Sequence, residues 1–293
     1  MALMTKDVVA LLRPEQWVKN LFVALPLFFS GKMMQASYWD SVLWAFVAFS
    51  LAASGIYVVN DIIDAEQDRL HPEKCRRPMA RRAVSCSVAV GVAVVLLSGS
   101  LVMSWWLTGW HTACMVAAYA VLNLAYCFKL KQVAVLDVLV IALGFVLRLL
   151  AGGVATGIVV SHWLVMMTFL LTLFLALAKR RDDVIIFERQ GVKARGNVTH
   201  YNLAFINQAM SVMASVMIVC YVMYTVSPEV TQRLHTSYLY ATTLFVVAGV
   251  IRYMQIAAVE EKSGNPTKVL LHDRFVQCCV LGWALSFFMI LYV

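Results

Sequence analysis

Three aspartates near residue 60 have the spacing of a ligand set on one helix face. Asp61, Asp64 and Asp68 are three and seven residues apart, which places their carboxylates on the same side of an α-helix. They follow the apolar run 41–59, so the acids lie where a membrane-spanning helix reaches water. Because like charges on one face repel each other, a cation between them would stabilise the helix. Carboxylate oxygens suit Mg²⁺, which often completes its coordination shell with substrate phosphates.

A basic segment follows the aspartates. It contains five cationic residues, Lys74, Arg76, Arg77, Arg81 and Arg82. Their donors suit phosphate oxygens that a metal ion leaves uncovered. The alternative is a solvated helix end whose basic residues follow the positive-inside rule of membrane proteins. That alternative explains the basic residues but not three aspartates in register, so the pattern favours a site for a metal ion and a diphosphate.

The same segment resembles the motifs of a known enzyme superfamily. Asn-Asp-x-x-Asp-x-x-x-Asp at residues 60–68 is similar to the first aspartate-rich motif of the UbiA superfamily of intramembrane prenyltransferases. His-Pro-x-Lys-x-x-Arg-Pro-x-Ala at residues 71–80 resembles the decaprenyl-phosphate phosphoribosyltransferase branch. That branch uses phosphoribosyl diphosphate as donor and a polyprenyl phosphate as acceptor. The resemblance implies that the three aspartates are catalytic metal ligands and that the substrate-binding residues here are Asn60, Lys74 and Arg77.

One position departs from the pattern of the branch. Relatives usually have glycine soon after Arg-Pro-x-Ala, whereas this chain has Arg81 and Arg82. A loop that needs the backbone freedom of glycine would be altered here.

A second acidic motif follows a basic pair in residues 179–188. Many UbiA relatives have Asp-x-x-x-Asp there, whereas this chain has Asp182 next to Asp183. Adjacent helical residues point about 100° apart, so at most one of them faces a metal ion squarely. The branch has an acid after a Lys-Arg pair, which favours Asp183 as the catalytic metal ligand and Lys179 and Arg180 as substrate-binding residues. A charge cluster set by membrane topology is the alternative for each acid, and Glu188 is left open.

Residues 13–20, Arg-Pro-x-Gln-Trp-x-Lys-Asn, also resemble this branch. Lys19 and Asn20 lie at a predicted helix start, where an ammonium and amide donors can bind a phosphate, and we predict that Lys19 binds substrate. The alternative is an interfacial anchor of Trp17 and Lys19. Residues 265–274 resemble the closing motif of the branch before the last helix.

Four polar residues accompany the fourth and fifth apolar runs. Arg148 is a basic residue deep in an apolar run, where a lone guanidinium costs on the order of 3 kcal/mol, so it should face a cavity or pair with an acid. Asp137 is eleven residues earlier and can share its face, about 16 Å away, without touching it. We predict that Tyr126, Lys131 and Arg148 bind substrate and that Asp137 orients a basic residue. A buried network that locks helix packing is the alternative.

The composition predicts an all-α polytopic membrane protein. The 293 residues are 62% hydrophobic and 14% charged, with a mean hydropathy of +0.78, whereas soluble domains carry about 25% charged residues. Nine apolar runs have about the length of a membrane span. They cover residues 21–29, 41–63, 83–103, 112–128, 133–154, 163–177, 206–226, 238–254 and 270–293. We expect one UbiA-like domain over residues 1–293, with about nine transmembrane helices around a central cytoplasm-facing cavity.

Basic residues are concentrated in alternate connections. The connections after the even-numbered runs are basic, whereas those after the odd-numbered runs 1, 3, 5 and 7 contain only Lys32 and Arg233. This asymmetry places the even-numbered connections, and with them the active site, in the cytoplasm. We therefore predict a multi-pass protein of the bacterial inner (cytoplasmic) membrane. The net charge of +8 follows this topology, so no nucleic-acid partner is expected.

The resemblance implies a Mg²⁺-dependent transfer of 5-phosphoribose to a polyprenyl phosphate, with Mn²⁺ meeting the same ligand requirement. An aromatic polyprenyltransferase with a prenyl diphosphate donor, as in quinone or haem biosynthesis, is the alternative within this fold. A non-enzymatic lipid or anion transporter is a third hypothesis, although transporters place binding groups near the midplane. Lipid-facing and subunit-facing helix surfaces have similar compositions, so a homo-oligomer stays open.

Overall fold

The computed structural model describes residues 2–69, 74–191, 196–261, 263–264 and 266–292. Within these ranges the secondary structure is helical and contains no β-strand. The predicted all-α class is therefore confirmed. His71 and Asn265, which belong to two of the motifs above, lie outside the described residues.

The chain divides into two compact units. The first unit comprises Met1–Lys131 and Leu143–Val160, and the second comprises Gln132–Ala142 and Ser161–Val293. A single domain over residues 1–293 stays a prediction.

The first unit is built around α3, which packs against α4 and α5. Its elements are α1 (Ala2–Leu12), a 3₁₀ segment (Pro14–Ala24), α2 (Leu25–Phe29), α3 (Trp39–Arg69), α4 (Cys86–Thr108), α5 (Trp110–Phe128) and, from Leu143 onward, α6 (Leu136–Thr156). Small residues of α3, among them Ala45, Ala48 and Ala52, are fully buried. They allow close helix packing, as is usual in membrane bundles.

In the second unit, α7 packs against α8, and α10 packs against α12. The elements are α7 (His162–Gln190), α8 (Leu203–Val226), α9 (Pro228–Leu234), α10 (Thr243–Gln255), a π-helical continuation of α10 (Ile256–Glu260), α11 (Pro266–His272) and α12 (Arg274–Tyr292). Ser161 caps α7 by accepting a hydrogen bond from the Leu164 amide. Gly191 ends α7 with φ 68°, a left-handed conformation that suits glycine.

Eight helices of the described residues are long and apolar enough to cross a membrane. They correspond to eight of the nine predicted runs, which confirms the polytopic membrane fold. The first run, residues 21–29, instead forms the end of the 3₁₀ segment and the short helix α2. Pro26 has no amide hydrogen to donate, so an uninterrupted α-helix through this run would lose a hydrogen bond.

Two long helices continue past their apolar parts and carry the acidic motifs. Helix α3 extends through all three aspartates to Arg69, and α7 extends through Asp182 and Asp183 to Gln190. Because both acidic motifs are helical, their side-chain directions are fixed by the helix repeat.

Candidate active site

The last three turns of α3 form a cluster of acids and cations in the first unit. We call it the first acidic cluster, and it consists of Asp61, Asp64, Asp68, Arg13, Arg77 and Lys131. The three cations come from three separate segments of the chain. The predicted helical face of aspartates is thus present, and cations lie against it.

Arg77 joins two of the aspartates. Its Nη1 donates to Asp68 Oδ2 at 2.7 Å and to Asp61 Oδ1 at 3.3 Å. Arg13 also donates to Asp61 Oδ1. Asp61 is 1% exposed, and its buried Oδ2 has no hydrogen-bond partner among the described residues.

Asp64 has a different partner. Its Oδ1 accepts a hydrogen bond from Lys131 Nζ at 2.5 Å. On an α-helix Asp68 is about 20° from Asp61 around the axis, whereas Asp64 is about 60° away. The structure therefore brings Asp61 and Asp68 together on one guanidinium and turns Asp64 toward another cation.

The cluster fits a magnesium ion held by few protein ligands. No group of three or more His, Cys, Asp or Glu side chains in the described ranges is arranged to enclose a metal ion. However, Mg²⁺ is commonly bound by one or two carboxylates together with substrate phosphates. Asp61 supplies a buried carboxylate oxygen that has no partner in the described part of the chain, and Asp68 binds the same Arg77 guanidinium as Asp61. These residues fit a one- or two-carboxylate site rather than a three-carboxylate cage.

The second unit contains a more deeply buried network, which we call the second acidic cluster: Asp137, Arg180, Asp183 and Tyr201. Arg180 Nε donates to Asp137 Oδ2 at 2.5 Å, and Arg180 Nη1 donates to Asp183 Oδ2 at 2.8 Å. The Tyr201 hydroxyl donates to Asp137 Oδ1 at 2.6 Å and accepts from the Val135 amide at 2.7 Å. Burial and the hydrogen bond to Asp137 raise the pKa of Tyr201, so its hydroxyl stays a donor. Asp137 thus contacts a basic residue, and its role in orienting that residue stays a prediction.

Asp182 and Asp183 have distinct partners. Asp182 Oδ1 accepts from Ser263 Oγ at 2.8 Å, and Asp182 Oδ2 accepts from the Gly264 amide at 2.5 Å. Both carboxylate oxygens of Asp182 are thus used to hold the segment that precedes α11. This arrangement favours Asp183 as the functional acid of the second motif.

Arg148 is enclosed within the first unit. Its Nε donates to Asn20 Oδ1 at 2.7 Å, its Nη1 to the Gly144 carbonyl at 2.8 Å and its Nη2 to the Tyr119 hydroxyl at 2.9 Å. Its guanidinium also lies 4.5 Å from the centre of the Tyr119 ring. Like Arg180, Arg148 was predicted to bind substrate, but both guanidinium groups are buried in protein contacts. For Arg148 this burial favours the alternative of a packing network, and for Arg180 it indicates a structural contact with Asp137 and Asp183.

Lys19 lies immediately before Asn20 in the 3₁₀ segment and is half-buried. The pKa of Lys19 is lowered to about 8, chiefly by burial and then by the positive charges of Arg148 and Arg13, whereas Glu15 opposes the effect. A cation with these neighbours gains more from an anionic ligand than a solvated lysine does.

The remaining predicted substrate-binding residues lie on separate elements. Asn60 is half-buried on α3, Lys74 is half-buried in a short 3₁₀ turn, Tyr126 is half-buried near the end of α5 and Lys179 is exposed on α7. In the closing motif, Asp273 caps α12 by accepting from the Val276 amide and binds Arg252 at 2.6 Å. This hydrogen bond to Arg252 holds the pKa of Asp273 below its usual value.

Sequence reasoning missed three contributors. Arg13 was noted only as part of a motif, and its partner Asp61 is 48 residues away. Tyr201 and Ser263 were not singled out, although each completes a hydrogen-bond set around an aspartate. The adjacent Arg13-Pro14 pair is a signal for a turn, but nothing local predicts the acid that Arg13 meets.

The loop after the first motif retains a backbone conformation that favours glycine. Arg82 has φ 58°, in the left-handed region. Arginine thus stands where relatives usually have glycine, at or beside a position whose backbone conformation strains an L-residue. Arg81 binds Asp7 of α1, which helps to hold the loop in place.

Comparisons with known proteins agree with this fold and these motifs. A family model described as the UbiA prenyltransferase family matches residues 21–276. The chain is 39% identical to a decaprenyl-phosphate phosphoribosyltransferase of Mycolicibacterium smegmatis over 285 residues, 92% of this chain and 88% of that protein. It is 35% identical to a protein of the same name from Corynebacterium glutamicum over 289 residues, 96% of this chain and 86% of that protein. A UbiA homolog from Archaeoglobus fulgidus bound to GPP and Mg²⁺ has the same fold, with a TM-score of 0.72, 17% identity and coverage of 98% of this chain and 100% of that chain.

Proposed function

Because the chain belongs to the UbiA prenyltransferase family, we propose that it transfers 5-phosphoribose from phosphoribosyl diphosphate to a decaprenyl-type polyprenyl phosphate and releases diphosphate. One observation carries this proposal: the two relatives that bear the name of this activity are 39% and 35% identical to the chain over 92% and 96% of its length. The neighbour structures, at 17% identity, support the fold alone.

The first acidic cluster supplies the kind of groups that this reaction needs. The donor carries a 5-phosphate and a diphosphate, and the acceptor carries a further phosphate, so several cations must bind oxygen anions. Arg13, Arg77 and Lys131 are half-buried, with side chains 18%, 26% and 15% exposed. Each can therefore exchange part of its contact with an aspartate for a phosphate oxygen. Lys19 and Lys74 would add further phosphate contacts.

Asp61 and Asp68 are the residues that we assign to Mg²⁺, with Asp64 as an additional carboxylate. Bound there, Mg²⁺ would neutralise charge on the diphosphate oxygens, and Mn²⁺ has the same preference for oxygen ligands. Asp183 stays the predicted acid of the second motif.

In the proposed reaction the bond between C1 of the ribose and the diphosphate oxygen breaks, and its electron pair leaves with the diphosphate. An oxygen of the lipid phosphate forms the new bond to C1. Arg77 and Lys131 stabilise the negative charge that develops on the leaving group. The lipid phosphate is already ionised at pH 7, so no general base is required.

The cytoplasmic position of the first acidic cluster is part of the proposal. It follows from the basic connections, which the positive-inside rule places on the cytoplasmic side of a bacterial inner membrane. A water-soluble donor is available on that side, whereas the lipid acceptor arrives through the bilayer.

The test uses purified protein in detergent with Mg²⁺ and decaprenyl phosphate. We expect label from radiolabelled phosphoribosyl diphosphate to pass into the lipid phase, and Asp61→Ala to lower this transfer by at least about 100-fold, because charge stabilisation at the leaving group is lost. Glu66→Ala is the matched control, since Glu66 is an exposed acid of the same helix, and it should retain activity.

A parallel reaction offers radiolabelled prenyl diphosphate and 4-hydroxybenzoate. Label on the aromatic ring, with none transferred from phosphoribosyl diphosphate, would overturn the proposal in favour of an aromatic prenyltransferase. Absence of both products would favour a transporter.

A further inference from the structure

Arg148 lies deep in the first unit and has no acidic partner within the described ranges. It is 4% exposed and twelve residues after the start of α6, about 18 Å along the helix. Its three hydrogen-bond acceptors are neutral: an amide oxygen, a carbonyl and a tyrosine hydroxyl. No carboxylate of the described residues forms an ion pair with it. A charge at this depth is costly. Arg148 should therefore have a role that requires its positive charge.

The hydrogen bonds of Arg148 lead to the segment that carries Lys19. Asn20 is fully buried. Its Oδ1 accepts from Arg148, while its Nδ2 donates to Ser50 Oγ on α3 at 3.0 Å. Asn20 therefore joins α6 to α3 through the 3₁₀ segment Pro14–Ala24.

A second contact holds the same segment against α6. Gly152, one turn after Arg148, packs directly on the backbone of Val23, and a Cβ at this glycine would overlap the Val23 carbonyl. The 3₁₀ segment is thus fixed at Asn20 and at Val23. Lys19, immediately before the first of these points, has a restricted position.

We propose that Arg148 is a positioning residue that acts through Asn20 to place Lys19 as a phosphate-binding cation. The guanidinium of Arg148 also adds positive charge near Lys19, which favours an anionic ligand beside the ammonium group. The inference depends on the proposed function only in naming phosphate as the ligand of Lys19.

The charged surroundings of Lys19 agree with this role. Burial and neighbouring charges together lower the pKa of Lys19 to about 8, and Arg148 has the largest effect among those charges. Among the described residues, the charged and titratable groups near the segment are Glu15 within it, Arg13 directly before it, Tyr57 and Asp61 on α3, Tyr119 on α5 and Arg148 on α6. Glu15 alone among the groups that act on Lys19 favours its charged form.

The experiment measures the labelling of Lys19 by an acetylating reagent as a function of pH, in detergent and without substrate, with mass-spectrometric detection. In the unaltered protein the midpoint should lie near pH 8. Arg148→Met should raise it by about 0.5 to 1 pH unit because a nearby positive charge is lost. Arg148→Lys should leave it in place. Exposed Lys32 is the internal reference for the reagent.

Asn20→Asp provides a second variant if Arg148→Met does not fold. It is nearly isosteric and introduces a carboxylate beside Arg148 and Lys19, so it should raise the midpoint as well. An unchanged midpoint in every folded variant would overturn the electrostatic part of the inference. This result is independent of the reaction catalysed, because no substrate is present.

Steady-state kinetics test the positioning itself. Arg148→Lys and Asn20→Ala should each raise KM for a phosphate-bearing substrate by about 10-fold with a smaller change in kcat, since each cuts a charged hydrogen bond. The double variant should be no worse than the more impaired single variant, because both changes break the same connection. Additive effects, or a loss of thermal stability with KM unchanged, would show that Arg148 serves packing alone.

Discussion

Both acidic clusters pair aspartates with arginine, but they differ in how far their cations are withdrawn from solvent. In the first cluster the cations are 15% to 26% exposed, and one oxygen of Asp61 has no partner among the described residues. In the second cluster the side chains of Arg180 and Asp137 are 2% and 0% exposed, and both oxygens of Asp137 accept hydrogen bonds. The first cluster can exchange partners, whereas the buried Arg180–Asp137 pair of the second is a fixed part of the scaffold.

This difference has an energetic basis. Ion pairs open to solvent contribute about 0 to 1 kcal/mol, because water replaces the lost contact. Removing one partner of a buried pair costs about 3 to 5 kcal/mol, because a charge is left without compensation. We therefore expect changes in the first cluster to affect activity and changes at the Arg180–Asp137 pair to affect stability first.

The sharpest test compares two arginines that each bind two aspartates. Arg180→Gln should destabilise the protein by about 3 to 5 kcal/mol because it leaves Asp137 buried and uncompensated. Arg77→Gln should destabilise the protein less, by about 1.5 to 3 kcal/mol, because Asp61 keeps its contact with Arg13, and it should lower activity by about 100-fold through lost phosphate contacts. Apparent Tm in detergent and the transfer assay measure the two effects. Equal destabilisation by both changes would remove the distinction between the clusters.

The adjacent aspartates of α7 offer a comparison within the second unit. Asp182→Asn should cost about 1.5 to 3 kcal/mol in the attachment of residues 263–264, since an amide has one acceptor oxygen for two donors. It should increase proteolysis near these residues and retain most of the activity. Asp183→Asn should lower kcat by about 10- to 100-fold with less effect on proteolysis.

Limited proteolysis and kcat decide between the two aspartates. The reverse result, with activity lost only in Asp182→Asn, would move the functional acid to Asp182.

The smallest expected effect concerns the loop after the first motif. Arg82→Gly should raise stability by up to about 1 kcal/mol, since it removes the strain of a left-handed L-residue while the greater freedom of glycine in the unfolded chain offsets part of the gain. Arg82→Ala is the control, because it removes the charge and keeps the strained conformation. A gain in apparent Tm in both variants would attribute the effect to charge instead.

Much of the architecture was accessible from local sequence properties. Eight of the nine apolar runs are helices of spanning length, because a span in a bilayer must be helical and apolar over a fixed length. The first run was the exception, since Pro26 interrupts it. The spacing of Asp61 and Asp68 placed them on one helix face, and Arg77 indeed reaches both.

The partner of each charged side chain could not be predicted from local sequence properties. Arg13 meets Asp61 over 48 residues, Lys131 meets Asp64 over 67 residues and Arg180 meets Asp137 over 43 residues. From their charge and motifs, the sequence predicted that Arg148 and Arg180 bind substrate. Their burial in protein hydrogen bonds depends on which helices pack together, and this information is spread over the whole chain.

By itself, the sequence determined the helical membrane class, the two acidic motifs and the family that they resemble, because hydropathy and helical spacing are local properties. The tertiary structure decided which acids share a cation and which arginines are withdrawn from solvent. It also decided that Asp182, and not Asp183, binds the segment at residues 263–264. These outcomes depend on contacts between segments far apart in the chain, and the burial that results sets how strongly each charge is held.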